Sequence, residues 1–353
     1  MKHVQLVQQT LFCCLQSVMD LQRLQYILDS ATSKRLLVLG DLMLDEFVWG
    51  SVARISPEAP VPIVEVQWES SYPGGAANVA RNLREFTSSV TMIGVVGKDP
   101  AGEKLTSLLK EEGISPEGLF IDDSAPTIVK TRIIAQRQQV VRVDREVRTV
   151  SGSARGDILQ QAKLLVAKAD AVLFEDYGKG FLNQPFVDAV IETAHAHGIP
   201  VTCDPNPKNP LEWHGIATIK PNRSEAFAVA GVPITPPVTP VENDEALLRV
   251  GNILLERWNA GAILVTLSEQ GMMLFRKGRP PYHTPTRAME IYDVSGAGDT
   301  VISLYTLSLA AGATPEEAAE IANHAAGIVV GKLGTATCSR EELENSFRQN
   351  SLS

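Results

Sequence analysis

The sequence predicts an α/β protein: a doubly wound, mostly parallel sheet flanked by helices, with a small β-sheet lid. Three observations carry this. From residue 155 onward, short apolar runs of strand type alternate with longer segments at helical spacing, the pattern of successive βαβ units. Polar residues recur directly after those apolar runs, where an open α/β sheet gathers its ligands. Two stretches depart from the pattern, a proline-rich one at 48–68 and an alternating hairpin at 127–143, and both suit a separate small sheet.

The bulk properties are compatible with one large domain. The chain has 353 residues, 44% of them hydrophobic and 21% charged, which is ordinary globular composition. A net charge of −9 argues against nucleic acid as a partner, because no basic excess is present to neutralise its phosphates. Cys13, Cys14, Cys203 and Cys338 show no metal-ligand spacing, so a reduced, cytoplasmic protein without disulfides is expected. No apolar run reaches the length of a membrane span, and no membrane partner is expected. Residues 1–33 read as an N-terminal extension and a leading helix, 34–340 as the main domain with lid strands at about 46–70 and 125–145, and 341–353 as a tail. Residues 1–18 lack a signal-peptide core and cleavage site; an appendage or a start codon set too far upstream is expected there, with a partner-binding amphipathic helix as the lesser alternative.

In chain order, Arg35 to Leu39 is a buried-type strand ending in Gly40-Asp41, with Asp45 four residues on. The 48–68 stretch alternates Val61, Ile63, Val64 and Val66 among Pro57, Pro60 and Pro62, a density of proline that only an edge strand or an excursion tolerates. Pro73-Gly74-Gly75-Ala76-Ala77-Asn78 opens a helix; paired glycines allow close backbone approach, and Asn78, one turn in, suits hydroxyl recognition or else faces solvent. A strand at Val90–Val96 and a helix at Ala101–Glu112 follow. The hairpin carries Lys130, Arg132, Arg137 and Arg142, either as a solvated face or as contacts to an anionic ligand. Strands ending in Glu175-Asp176, Asp204-Pro205-Asn206, Lys220-Pro221-Asn222 and Ser268-Glu269 alternate with helices. Thr314-Pro315-Glu316-Glu317 has capping-box spacing with proline at the first helical position, and small residues plus Asn323 and Gly327 line one side of the helix it starts.

The most informative stretch is Asp293-Val294-Ser295-Gly296-Ala297-Gly298-Asp299-Thr300, which runs into an apolar segment at helical spacing. Glycines before a helix turn backbone N–H groups toward one point, and the helix N-terminus adds positive potential there, which makes an anion site. An acid beside such a site suits removal of a proton from a hydroxyl that attacks a phosphate. The alternative is a plain turn in which Asp299 caps the helix.

These motifs stand in the order of the ribokinase-type (phosphofructokinase-B) carbohydrate kinases. Gly74-Gly75-Ala76-Ala77-Asn78 resembles their N-terminal signature and Asp293–Thr300 their C-terminal one, and the resemblance covers about residues 34–340. Four stretches look similar to bacterial D-glycero-β-D-manno-heptose-7-phosphate kinases: Gly40–Asp45, Arg54–Pro62, Asp176-Tyr177-Gly178-Lys179-Gly180 and Gly331–Thr337, with Arg-Ile-Ser-Pro-Glu-Ala-Pro the most specific. The resemblance implies ATP and Mg²⁺ as cofactors, a monovalent cation near Asp293 as a further candidate, a sugar phosphate as acceptor, and a homodimer joined through the lid strands. It implies Asp299 as general base, with Gly296, Ala297 and Gly298 forming the anion site. It places Asp41, Gly74, Gly75, Asn78 and Asp176 at the sugar, and Arg54, Lys130, Arg132, Arg142 and Lys179 as candidates for its phosphate. For ATP it implies Asn222, Glu225, Thr266, Ser268, Glu269, Gly271, Asn323 and Gly327, with Glu225 reaching Mg²⁺ through water.

Two departures qualify the resemblance. Bifunctional relatives carry a nucleotidyltransferase domain with a His-x-Gly-His motif, which this sequence lacks, so a kinase-only form is expected. Asp204-Pro205-Asn206 replaces an expected Asp-Pro-Lys, which bears on the sugar more than on the chemistry. Other sugar kinases of the same fold and a non-catalytic sugar-binding regulator are the rival readings; a dinucleotide-dependent oxidoreductase lacks its Gly-x-Gly-x-x-Gly after the first strand.

Overall fold

The computed structural model describes residues 19–136, 138–147, 152–288 and 291–350. The appendage expected at 1–18, with Cys13 and Cys14, and the cation Arg137 lie outside the described residues. A leading helix α1 (Leu21–Ala31) is capped by Asp20, whose side chain accepts from the Arg23 N–H. β1 (Arg35–Gly40) then enters the interior of the main sheet.

The chain leaves that sheet at once. β2 (Leu42–Ile55) and β3 (Pro62–Gly75) form a long antiparallel ribbon that returns directly into α2 (Ala76–Arg84). β4 (Ser89–Gly97), α3 (Pro100–Glu111) and β5 (Ser115–Asp122) extend the main sheet. β6 (Ile128–Ala135) and β7 (Gln138–Arg145) then join the ribbon, giving a four-stranded sheet in the order β3-β2-β6-β7. Its β2–β6 pair is parallel and the other two pairs are antiparallel. The proline-rich strand β3 takes the edge, where a missing N–H donor costs no ladder bond. Pro57 and Pro60 sit in the turn between β2 and β3.

The remainder winds back across the main sheet: α4 (Gly152–Val166), β8 (Ala171–Glu175), α5 (Gln184–Ala196), β9 (Val201–Asp204), β10 (Thr218–Ile219), α6 (Arg223–Ala230), α7 (Glu245–Trp258), β11 (Ala262–Thr266), β12 (Met272–Arg276) and β13 (Tyr282–Thr284). Helices α8 (Ala297–Ala310), α9 (Pro315–Val329) and α10 (Arg340–Asn350) complete the described chain. The sheet order is β13-β12-β11-β10-β9-β8-β1-β4-β5, parallel throughout except at β12 and β13. The winding direction reverses between β1 and β8, so the crevice at the carboxyl ends of those two strands is the place where a ligand site is expected.

The helices cover both faces of this sheet. Within β1, Leu36 and Val38 point into one apolar core, Leu37 and Leu39 into the other, the period of two that a doubly covered strand requires. The Thr314–Glu317 capping box with Pro315 forms as the sequence indicates. The strands β5, β12 and β13 and the helix α10 are additions to the sequence reading. β5 contains Pro116 and Gly118, which weaken its strand signal, and β12 and β13 are short, five and three residues. Among the described residues no helix is long and apolar enough to cross a membrane.

Candidate active site

The site forms at the switch point, where the N-terminus of α8 meets the ends of β1, β8, β9 and β10. Gly296 caps α8 with φ of +80°, a left-handed conformation that glycine adopts without steric cost. The intrahelical ladder begins with the Thr300 N–H donating to the Gly296 carbonyl at 3.0 Å. The Ala297 N–H is used in a turn to the Val294 carbonyl at 3.3 Å. Gly298 and Asp299 therefore contribute the N–H groups left without an intrahelical acceptor. Ala297 serves the turn, a narrower part than the anion-site donor expected of it.

Asp299 is buried, at 6% exposure. One carboxylate oxygen, Oδ2, accepts from the Asn78 side-chain amide at 2.7 Å, and Oδ1 accepts from the Tyr177 hydroxyl at 2.9 Å. Burial raises its pKa, while those two hydrogen bonds and the Lys220 ammonium hold the rise in check. Asn78 comes from α2, whose register on α8 is fixed by further polar bonds: Thr300 Oγ1 donates to Asn82 Oδ1 at 2.8 Å, and Ser303 Oγ to the Val79 carbonyl at 3.1 Å. The two sequence signatures, 221 residues apart at this bond, thus meet in space.

Behind the α8 turn lies a buried charged cluster. Lys220, just after β10, places its ammonium 2.7 Å from the Asp204 carboxylate at the end of β9. Glu175, at the end of β8, is 2% exposed, and its Oε2 has no hydrogen-bond partner. Burial drives the Glu175 carboxyl well above the ordinary range, with Asp204 and Asp299 adding to the rise. Burial pushes Asp204 up to about 7 against the pull of Lys220. The sequence reading assigned no role to Lys220, Asp204, Glu175 or Tyr177. The signal was present: each is at or just after the end of a buried strand.

A cavity of about 500 Å³ opens from this cluster and is lined by Glu175, Asp204, Lys220 and Gly298. All eight residues expected at the nucleotide line it: Asn222, Glu225, Thr266, Ser268, Glu269, Gly271, Asn323 and Gly327. Ile291, Val294, Val301, Ala326 and Val330 give it an apolar wall suited to a planar base. Several polar members build the wall through their own bonds. Asn222 and Glu225 form a reciprocal capping box on α6. The Asn323 amide holds the segment after β13, donating to Thr284 Oγ1 at 2.7 Å and the Pro285 carbonyl at 2.6 Å. Among the described residues no group of three or more His, Cys, Asp or Glu side chains is placed to hold a metal ion.

The residues expected at the sugar divide into two groups. Asp41 accepts three backbone N–H groups, from Tyr177 and Lys179 at 3.0 Å and from Phe181 at 3.2 Å, and so fixes the loop after β8. Asp176 accepts from the Gly178 N–H at 2.7 Å within the same loop. Gly74 and Gly75 end β3 where it enters α2. Of the five expected phosphate cations, four have carboxylate partners: Arg54 with Glu65, Arg132 with Asp45, Arg142 with Asp144 and Lys179 with Glu146. Arg54 and Arg142 stand largely in solvent, with side chains 66% and 48% exposed. Lys130 is the exception: its ammonium lies 5.1 Å from the centre of the Tyr177 ring, and burial lowers its pKa while Asp45 opposes the fall. Asp293 accepts from the Ser295 N–H at 2.9 Å and the Gly334 N–H at 3.1 Å, a tie between the two loops around α8.

The model of the pfkB family carbohydrate kinases matches residues 33–342. The chain belongs to this family. It is accordingly a phosphotransferase with a sugar hydroxyl as acceptor. It is 41% identical over 326 residues to the "Bifunctional protein HldE" of Citrifermentans bemidjiense, an alignment covering 92% of this chain and 66% of that protein. The chain thus spans just under two thirds of that relative's length. Phosphofructokinase-2 from Escherichia coli in complex with substrates and products superposes with a TM-score of 0.73 at 20% identity, covering 90% of this chain and 99% of that one. Arabidopsis thaliana ribokinase complexed with ribose and ATP gives 0.67 at 18% identity, covering 90% and 99%. At such identities the likeness carries the fold: the large sheet with its helices and the smaller sheet beside it.

Proposed function

We propose that this kinase uses ATP to phosphorylate the anomeric hydroxyl of D-glycero-D-manno-heptose 7-phosphate, giving the 1,7-bisphosphate for ADP-heptose and lipopolysaccharide-core synthesis. The observation that carries a phosphorylated acceptor is Lys130. Its ammonium forms no ion pair with a carboxylate among the described residues and lies over the ring of Tyr177, whose hydroxyl meets Asp299; an existing phosphate on the sugar would neutralise it there. The heptose-kinase stretches at 40–45, 54–62, 176–180 and 331–337 and the likeness to HldE support the particular sugar.

In this reading Asp299 takes the proton of the acceptor hydroxyl. The freed oxygen attacks the terminal phosphorus of ATP, a P–O bond forms, the bond to ADP breaks and ADP leaves. The Gly298 and Asp299 N–H groups meet charge on the transferring phosphoryl group, the positioning and electrostatic help on which such transfers depend. Glu225, which lines the cavity, would reach Mg²⁺ through water, the ion being shared with phosphates rather than caged by protein. Bound there, Mg²⁺ would supply charge neutralisation of the phosphates. The four-stranded sheet acts as a lid that excludes water. Val66 and Trp68 on its edge strand, 54% and 51% exposed, favour pairing of two lids in a homodimer. A cytoplasmic location accords with these substrates.

The test is ADP release from Mg·ATP with D-glycero-D-manno-heptose 7-phosphate, run beside sedoheptulose 7-phosphate, fructose 6-phosphate, fructose and ribose. Strong preference for the aldoheptose phosphate, with a 1,7-bisphosphate product, is expected. Preference for a neutral sugar overturns the heptose reading and the role of Lys130, and leaves the Asp299 chemistry standing.

A further inference from the structure

The Asp-Tyr-Gly-Lys-Gly stretch carries Tyr177, which lines the cavity and also reaches the base. Tyr177 follows β8, and its backbone N–H is fixed by Asp41 at 3.0 Å. Its hydroxyl donates to Asp299 Oδ1 at 2.9 Å. A phenylalanine would fill the same space, so the hydroxyl needs a reason of its own. A buried phenol takes a partner, and here that partner is the carboxylate expected to act as base.

We propose that Tyr177 is a positioning residue for the base: its phenol holds one oxygen of Asp299 while Asn78 holds the other. The carboxylate plane is then set before the acceptor arrives, and the remaining lone pairs are directed toward the sugar hydroxyl. Two donors also favour the charged form of a buried acid. That help matters here, because the groups facing Asp299 are mostly acidic: Glu175 from β8, Asp204 from β9 and Asp45 from β2, with Lys220 after β10 as the nearby cation. Without its donors Asp299 would hold its proton to higher pH and be the poorer base. The ring face of Tyr177 meets Lys130 of β6. One side chain therefore touches the base with its hydroxyl and the lid cation with its ring, linking the two ends of the acceptor site.

The inference rests on Asp299 as general base, and the experiment separates the two. The pH profile of kcat/KM for the sugar is measured for wild type, Tyr177→Phe and Asp299→Asn. With one donor lost, the pKa of Asp299 rises and its base form is lost at higher pH. The acid limb of Tyr177→Phe should move to higher pH by about one unit, seen as about a tenfold loss on the acid side of the limb with recovery on its alkaline side. The KM for ATP should stay within about twofold. A uniform loss across pH, or an unshifted limb, overturns the proposal. An active Asp299→Asn breaks the base reading itself; an inactive one with an unshifted Tyr177→Phe sinks only Tyr177. If Tyr177→Phe does not fold, 3-fluorotyrosine at 177 carries the test, because a stronger donor of nearly the same shape should move the limb to lower pH, and an unmoved limb rejects the proposal.

Discussion

Lys220 and Asp204 form a buried ion pair, 2.7 Å apart, directly beneath the first turn of α8. A methyl group built on Gly298 would stand 3.4 Å from the Lys220 ammonium and 3.9 Å from the Asp204 carboxylate. The cation therefore faces the same small space as the Gly298 N–H, where the transferring phosphoryl group is expected. Breaking such a pair leaves a charge uncompensated, and Lys220→Met should cost about 3–5 kcal/mol of stability. The double variant Lys220→Met/Asp204→Asn removes both charges and should regain most of that. Its turnover should nevertheless stay down at least about a hundredfold, the size of losing one charge-stabilising donor. Thermal melts beside initial rates decide: full turnover in the double variant would make Lys220 structural only.

Asp299→Asn preserves shape and removes the base. Because Asn78 and Tyr177 both donate to this side chain, the new amide group faces a donor at each position and the local network loosens slightly. Nucleotide affinity should change little, since Asp299 lies on the acceptor side of the turn. Turnover should fall by about 10²–10⁴, the range for loss of a positioned base. Equilibrium binding of ATP with steady-state rates checks both halves.

The two glycines of the α8 turn should respond differently to alanine. Gly296 has φ of +80°, and an added methyl would sit 2.9 Å from the Asn78 amide that holds Asp299. Gly296→Ala should lose about 1–2 kcal/mol of stability together with activity, since a left-handed backbone strains an L-residue. Gly298 carries no such strain, and its methyl meets only ordinary or slightly tight distances. Gly298→Ala should fold with a melting temperature close to wild type, yet fill the anion space and weaken ATP binding at least about tenfold. Equal stability losses in the two variants would contradict this assignment.

What the sequence revealed and what it concealed have physical causes. The βαβ order was readable because strands covered on both faces, such as Ala171–Glu175, are continuous apolar runs. The excursion at 48–68 was readable because proline excludes a central strand. Gly298 and Asp299 were readable because an anion turn needs a short, special string of residues. Lys220 and Tyr177 draw no role in the sequence, because their places beside Asp204 and Asp299 come from where strand ends from distant parts of the chain converge, a matter of register rather than composition. The cations show the converse. Lys130, Arg132 and Arg142 look alike in sequence, and only the pairing of Asp45 with Arg132 and of Asp144 with Arg142 separates them.

The last helix adds a stability prediction remote from the chemistry. His324 on α9 is 2% exposed, stacks on Phe347 of α10 with ring centres 3.9 Å apart, and shares a 2.8 Å hydrogen bond with Ser346. Burial lowers its pKa from 6.5 to about 3, with Arg287 adding to the effect. The unfolded chain therefore binds a proton below about pH 6.5 that the folded chain refuses until about pH 3. The sign follows from linkage: between those values the unfolded state holds more protons, so stability is fully present above pH 6.5 and falls as the solution is acidified. The loss attributable to His324 should reach about 2 kcal/mol by pH 5. His324→Gln lacks the titrating ring, so it should start less stable at pH 7.5 and lose less between pH 7 and pH 5. Denaturant melts of both proteins across that range measure the difference in slope; parallel slopes would show that His324 does not govern the acid sensitivity of the α9–α10 packing.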